Sequence, residues 1–202
     1  MIQANDVELC AESFGDPADP AILLIMGLAG SMMWWDEEFC RMLADGGRFV
    51  IRYDHRDTGR SVTYEPGRPL YRSEDLVRDA VGVLDAYGIS SAHVFGQSMG
   101  GALAQLLALD FPDRVASLVV MSTSPAGPGS GDLPPISGQY ARFLASSKVE
   151  WSDPESVIDY VVADSRALSG GHRPFDEVRV RERVTRDLER ARLRERSEPC
   201  GA

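Results

Sequence analysis

His93-Val94-Phe95-Gly96-Gln97-Ser98-Met99-Gly100-Gly101-Ala102-Leu103-Ala104 is the stretch on which the reading of this chain turns. A short apolar run, His93 to Phe95, reads as a buried strand. The Ala- and Leu-rich run from Gly100 to Leu109 reads as a helix ending near Pro112. Between them stands Gly96-Gln97-Ser98-Met99-Gly100, a Gly-x-Ser-x-Gly turn. A serine hydroxyl is a weak nucleophile at neutral pH. It needs exposure, a base to take its proton, and hydrogen-bond donors for the oxyanion it creates. A sharp strand-to-helix bend supplies the exposure, and Gly96 and Gly100, two places either side of Ser98, keep strand and helix from colliding. Ser98 is therefore the expected nucleophile. The helix behind it points unpaired N–H groups and the positive end of its dipole at the reacting centre, so the Met99 N–H is one expected oxyanion donor.

The second donor is expected from the other side of the sheet. Ala21-Ile22-Leu23-Leu24-Ile25-Met26 is a continuous apolar run, as in a strand covered on both faces, and it ends in Gly27-Leu28-Ala29-Gly30-Ser31. The Leu28 N–H is the candidate; a plain tight turn is the alternative for Gly27 and Gly30. No G-x-G-x-x-G accompanies these glycines, which disfavours a dinucleotide site.

Strand-like and helix-like runs alternate further out, the pattern of βαβ units and a parallel sheet. Val7 to Ser13 reads as one strand, broken by Asp16-Pro17-Ala18-Asp19-Pro20. Asp36 to Asp45 reads as a helix closed by Gly46-Gly47, and Arg48 to Tyr53 as the next strand. Ser73 is placed as the cap of a helix whose Leu76, Ala80, Val81 and Leu84 follow the helical period. Val115 to Met121 is another apolar strand. Beyond Ser122 the texture changes: Pro125 to Gly138 is rich in Pro, Gly and Ser, and Tyr140 to Leu168 is helical without a sheet strand. Arg173 to Arg196 reads as a solvated helix laced with i,i+4 pairs.

Two polar features are weighed as structural. Asp54-His55-Arg56-Asp57-Thr58-Gly59-Arg60-Ser61 is dense enough to suggest catalysis by His55, but such a loop also fixes its own backbone with Asp and Arg hydrogen bonds, and this is the preferred reading. His93 opens the strand before Ser98 and is assigned to the sheet; His172, after Gly170-Gly171, is not favoured as a base.

Composition excludes several classes. A chain of 202 residues fits one domain, or one with an insertion, and its net charge of −10 opposes a nucleic-acid partner, which needs a basic face. No run approaches the roughly 18 apolar residues of a membrane span. The start, Met1 to Asp6, lacks the basic and apolar regions of a signal peptide, so a cytoplasmic location is expected. Cys10, Cys40 and Cys200 show no metal or CxxC spacing and suit a reducing compartment. No metal and no cofactor is expected.

These residues resemble the α/β-hydrolase superfamily. Gly96 to Gly101 resembles its nucleophile elbow, and Asp54 to Ser61 resembles the D-x-R-G-x-G-x-S loop after its fourth strand. Gly15-Asp16-Pro17-Ala18-Asp19-Pro20-Ala21, Leu43-Ala44-Asp45-Gly46-Gly47, Ile51 to Ser61 and Ala92-His93-Val94 are most similar to the aclacinomycin methylesterase group, including Met26-Gly27 where many superfamily members have His-Gly. The resemblance implies an α/β fold: a mostly parallel sheet with flanking helices and a helical cap. It implies a core over 1–124, the cap over 125–190 and an atypical tail over 191–202. It also implies a serine hydrolase of small carboxylic or methyl esters acting through an acyl-enzyme on Ser98. Leu28 and Met99 are then the oxyanion donors, and Met32, Met33, Trp34, Trp35 and Tyr140 are candidates for apolar lining. Ser98 in place of aspartate disfavours dehalogenase and epoxide-hydrolase chemistry; haloperoxidase-like or carbon–carbon hydrolase activity stays open.

In such folds the acid and the histidine of the triad follow the serine in chain order. The resemblance puts them after the seventh and eighth strands, which needs two more strand–helix units of roughly 30 residues each. No strand-like run follows Val162, so the chain is expected to be C-terminally truncated and to lack the last strands. A catalytically inactive remnant or a ligand-binding hydrolase-fold module is the alternative. Missing strands would expose a sheet edge and apolar helix faces, so self-association, with a homodimer as its simplest form, is expected.

Overall fold

Apolar runs of five to seven residues, alternating with helices that have apolar faces, force the first part of the chain into a sheet with helices packed against it. The computed structural model describes residues 1–65, 68–126, 133–170 and 174–197. It divides into two units, Met1–Gly131 and Asp132–Ala202. The first begins with a hairpin of β1 (Ile2–Ala4) and β2 (Val7–Leu9), turned by Asn5 and Asp6, both at positive φ. Its main sheet runs in the order β3-β5-β4-β6-β7, built from β3 (Ala11–Phe14), β4 (Ala21–Ile25), β5 (Phe49–Tyr53), β6 (Ala92–Gln97) and β7 (Val115–Met121). Only β3 is antiparallel to its neighbour; β5-β4-β6-β7 are parallel. The connecting helices are α1 (Glu37–Asp45), α2 (Ser73–Ala86) and α3 (Met99–Asp110).

The strand period of two divides the core. Leu23, Ile25, Ile51, Tyr53 and Val94 pack with Leu76, Ala80, Val83 and Leu84 of α2 and Leu103, Ala104 and Leu107 of α3. Leu24 and Val50 turn the other way, joining Met26, Trp35, Cys40 and Phe39 on the α1 side. The α/β architecture is thus the expected one.

Local details depart from expectation for identifiable reasons. The strand expected over Val7–Ser13 is two strands, because the chain changes partner at Cys10: β2 pairs with β1, β3 pairs with β5, and the Cys10 N–H donates to Ser61 Oγ at 2.9 Å. Ser73 is the first residue of α2, one place inside the cap position expected for it. Arg72 stands at the cap, and its N–H donates to the Asp75 carboxylate at 2.8 Å. Val81 is only partly buried, whereas Asp79, a residue the periodicity does not select, is fully buried.

In the second unit, α4 (Gly138–Ser146), α5 (Pro154–Leu168) and α6 (Glu177–Ser197) are described, with no strand among its described residues. Ile158 and Val162 of α5 and Val184 of α6 are buried. The arginine-rich α6 was expected to be laced by its own i,i+4 pairs. Arg181 also pairs with Asp159 and Glu155, and Glu177 with Arg166, so these contacts tie α6 to α5. Among the described residues no helix is long and apolar enough to cross a membrane.

β7 is an open edge. Leu118, Val119, Val120 and Met121 are 38%, 49%, 45% and 40% exposed, and successive residues point to opposite faces, so both faces of this strand meet water. No proline or charged residue interrupts Val115–Met121 to block strand addition. An edge of this kind can accept a further strand, from the same protein or from a second copy. Leu118→Lys with Val120→Lys should shift sedimentation profiles toward the monomer, and an unchanged profile would rule β7 out as the contact.

Candidate active site

The order β5-β4-β6 has a consequence for binding. From β4 the chain crosses to β5 on one side and, after α2, returns to β6 on the other. The loops leaving β4 and β6 therefore diverge, opening a crevice at the carboxyl ends of these two strands, the usual ligand position in such sheets. Ile25 pairs directly with Gly96, so the residues that emerge into this crevice are Gly27-Leu28 from β4 and Ser98 from β6.

Ser98 is exposed and sits at φ 53°, ψ −121°, a conformation that L-residues rarely adopt. The surroundings hold it there. Its N–H donates to Met121 O at 2.9 Å, and its carbonyl accepts from Gly101 and Ala102 as α3 begins. A Cβ on Gly96 would lie 2.1 Å from Gly100 O, and one on Gly100 would lie 2.2 Å from Ile25 O and 2.5 Å from Met26 O. Both contacts are with backbone that cannot retreat, so both positions admit only glycine. Gly101, the last residue of the stretch that resembles the elbow, is also tightly placed: its Cβ would meet Thr123 Cγ2 at 2.7 Å.

The expected oxyanion residues come together around this serine. A Cβ on Gly27 would lie 3.2 Å from Ser98 Cβ and 3.8 Å from its Oγ, which sets the Gly27-Leu28 segment alongside the hydroxyl. Met99 is the first residue of α3, so its N–H has no partner within the helix. Of the residues considered for apolar lining, Met32 and Trp35 are instead packed in the core, Trp35 against Phe39 and Phe95. Tyr140 lies in the second unit, its hydroxyl donating to Asp164 at 2.8 Å.

Neither described histidine hydrogen-bonds to Ser98. His93 is five residues back along the strand direction, about 16 Å at the rise of a strand, and its Nδ1 lies 2.7 Å from Ser117 Oγ. His55 is 2% exposed, with Nε2 at 2.9 Å from Met26 O. Burial pushes its pKa below the ordinary imidazole value, against the raising effects of that hydrogen bond and of Asp79 and Asp54. His172 lies outside the described residues. Cys40 is no rival nucleophile: burial raises its thiol pKa to about 11.

The loop after β5 has the self-fixing character expected of it. Asp54 Oδ2 accepts from Arg60 N at 2.9 Å, Ser61 Oγ donates to Asp54 O at 2.7 Å, and Thr58 Oγ1 donates to His55 O at 3.0 Å. Sequence reading missed how far this loop reaches. Arg56 forms a two-point ion pair with Asp79 of α2, both contacts 2.7 Å, and Asn5 Nδ2 donates to the same carboxylate at 2.9 Å. The helical period of α2 does not mark Asp79 as the partner of Arg56, because that pairing depends on a loop brought to it from elsewhere in the chain.

Comparison with known proteins agrees with this fold. A family model described as the alpha/beta hydrolase fold matches residues 20–153. Over 197 residues the chain is 38% identical to rhodomycin D methylesterase DauP of Streptomyces sp. (strain C5) and 36% identical to DnrP of Streptomyces peucetius. Each match covers 91% of this chain and 66% of the relative. The chain thus spans just under two thirds of the length of these curated relatives. Among solved structures, a hydrolase from Pseudomonas aeruginosa PA01 superimposes with a TM-score of 0.64 at 26% identity, covering 96% of this chain and 68% of that one.

Proposed function

Because the chain belongs to the alpha/beta hydrolase fold family, we propose that it is the serine-bearing part of an ester hydrolase, with Ser98 as nucleophile and the Leu28 and Met99 N–H groups as oxyanion donors. The observation that carries this reading is the exposed Ser98 at φ 53° with Gly27 alongside it, where the crevice between β4 and β6 opens. The substrate class is a small-molecule carboxylic ester, and the methylesterase relatives favour a methyl ester. Ser98 Oγ attacks the ester carbonyl carbon as its proton passes to a base. The carbonyl oxygen becomes an oxyanion held by the two N–H groups and the positive end of α3. Collapse expels the alcohol, methanol for a methyl ester, which takes up the proton. Water then attacks the acyl-serine, releasing the acid and restoring the hydroxyl. The sequence requires neither metal nor redox cofactor. In this reading the helices of the second unit correspond to the helical cap of the family, and the chain is a cytoplasmic protein that self-associates as a homodimer.

A second reading, a hydrolase-fold module that holds its ligand without turning it over, is favoured by one observation. His55 is engaged with Met26 O and His93 with Ser117, so neither is placed to take the Ser98 proton. A fluorophosphonate probe separates the two readings. Attack of Ser98 on phosphorus with loss of fluoride should label the wild-type chain and leave Ser98→Ala unlabelled. The same substitution should lower p-nitrophenyl ester turnover by about a thousandfold or more. A folded wild-type chain that resists labelling supports the binding module instead.

A further inference from the structure

β4, one of the two strands that meet at the crevice, is joined to β5 a second time, by side chains at the end of β5 that reach the loop leaving β4. His55 Nε2 lies 2.9 Å from the carbonyl oxygen of Met26, the residue just before Gly27-Leu28. Asp54 Oδ1 accepts the Met32 N–H at 2.9 Å, on the far side of the same loop. Arg52 follows the same pattern from within β5, donating to Met32 O at 3.4 Å and also to Trp35 O. Three residues at the end of β5 thus hold both ends of the segment from Met26 to Met32. Between those anchors the tip of the loop, Leu28-Ala29, faces water. Leu28 is 77% exposed, Ala29 has φ 58°, and the bond described inside it is the long Gly30 N–Gly27 O contact of 3.3 Å. A glycine at 27 leaves the Gly27–Leu28 peptide free to rotate unless its neighbours pin it.

We infer that His55 and Asp54 form a clamp that aims the Leu28 N–H at the crevice, with His55 as a positioning residue for the oxyanion loop. This rests on the reading of Leu28 as an oxyanion donor. His55 is almost fully buried, so it touches no substrate and acts through the Met26 carbonyl. A carbonyl only accepts, so Nε2 carries the ring proton. Nδ1 is buried with no hydrogen-bond partner among the described residues, which leaves it bare and the ring neutral. The edge-on Tyr53 ring, 5.1 Å away between centroids, fixes the plane in which the donor points. Release of this donor frees the Met26–Gly27 backbone, and a displacement of about 1 Å in an oxyanion donor is enough to cost on the order of a hundredfold in rate.

The clamp is tested with His55→Phe, which removes the donor, and His55→Gln, whose amide N–H reaches the position of Nε2. With a fluorophosphonate, the labelling rate of Ser98 at saturating probe should fall about 10- to 100-fold in His55→Phe and stay within about threefold of wild type in His55→Gln. The concentration for half-saturation should not change. A folded His55→Phe that labels at the wild-type rate overturns the clamp. Nitrogen-15 spectra of the wild-type histidines decide independently of any variant's folding: the proton on Nε2 with Nδ1 bare supports the clamp, and the proton on Nδ1 overturns it. If the wild-type chain does not label, the nucleophile reading fails, and amide resonances of Gly27 to Met32 then decide the clamp alone. They should shift in His55→Phe and return in His55→Gln; if they do not move in His55→Phe, there is no clamp.

Discussion

Asp79→Ala is expected to destabilise the first unit by about 3–5 kcal/mol, lowering its melting temperature by on the order of 10 °C. The expectation comes from burial rather than from counting ion pairs. Asp79 is 0% exposed and Arg56 7%, and they meet through two contacts of 2.7 Å. Removing the carboxylate strands a guanidinium with only neutral partners, Tyr64 Oη at 3.3 Å and the Asn5 carbonyl at 3.3 Å. It also leaves Asn5 Nδ2 bonded to the Asp75 carbonyl alone, at 3.2 Å. The contrast is Arg41→Ala. Its partner Glu37 is equally close, but both side chains are more than half exposed, so the loss should stay below about 1 kcal/mol. Urea unfolding of the two variants side by side checks the pair. Equal, small effects would show that water reaches Arg56. Since Arg56 sits one residue from His55, Asp79→Ala should also loosen the loop after β5.

Gly100→Ala is the second change with a large expected effect, although it adds one methyl group. Its Cβ would sit 2.2 Å from Ile25 O and 2.5 Å from Met26 O, and neither oxygen can move without breaking the β4 edge of the crevice. α3 must then back away from β4 and carry Ser98 with it. A stability loss of about 1–3 kcal/mol is expected from overpacking. Ser98 labelling should fall by about a hundredfold or more, because the hydroxyl leaves the line of the oxyanion donors. Gly88→Ala is the matched comparison. Gly88 has φ 69° with nothing within 4 Å of its would-be Cβ, so it should incur only the left-handed strain of about 1 kcal/mol and label normally. Fluorophosphonate labelling rates and thermal melts on the same samples make the comparison. Equal labelling by the two variants would show that α3 is not wedged against β4.

Together the two variants mark how much of the site was legible in the residues. The elbow was readable because its logic is local: a strand, a turn with glycines at fixed offsets, and a helix all fall within Ala92–Asp110. The run Val115–Met121 was likewise correctly bounded, since an apolar stretch closed by Arg114 and Ser122 leaves few alternatives. Asp79 was not readable. Helical period selects the apolar face of α2, and the buried charge on that face makes sense only once Arg56, 23 residues earlier, is brought to it. His55 shows the same limit from the other side. Its polar neighbourhood was rightly taken as structural, but its target, a backbone carbonyl 29 residues away, has no signature in side-chain pattern.

The α/β class, the place of Ser98 between strand and helix, and the glycines that such a bend requires could all be read from the residues, because they follow from period, propensity and steric limits within a short stretch. That β5-β4-β6 sets Gly27 beside Ser98, that Arg56 finds Asp79, and that β7 is left partly exposed were outcomes of the folded arrangement. Those outcomes depend on which strands become neighbours, and strand order is settled by how distant apolar faces bury one another.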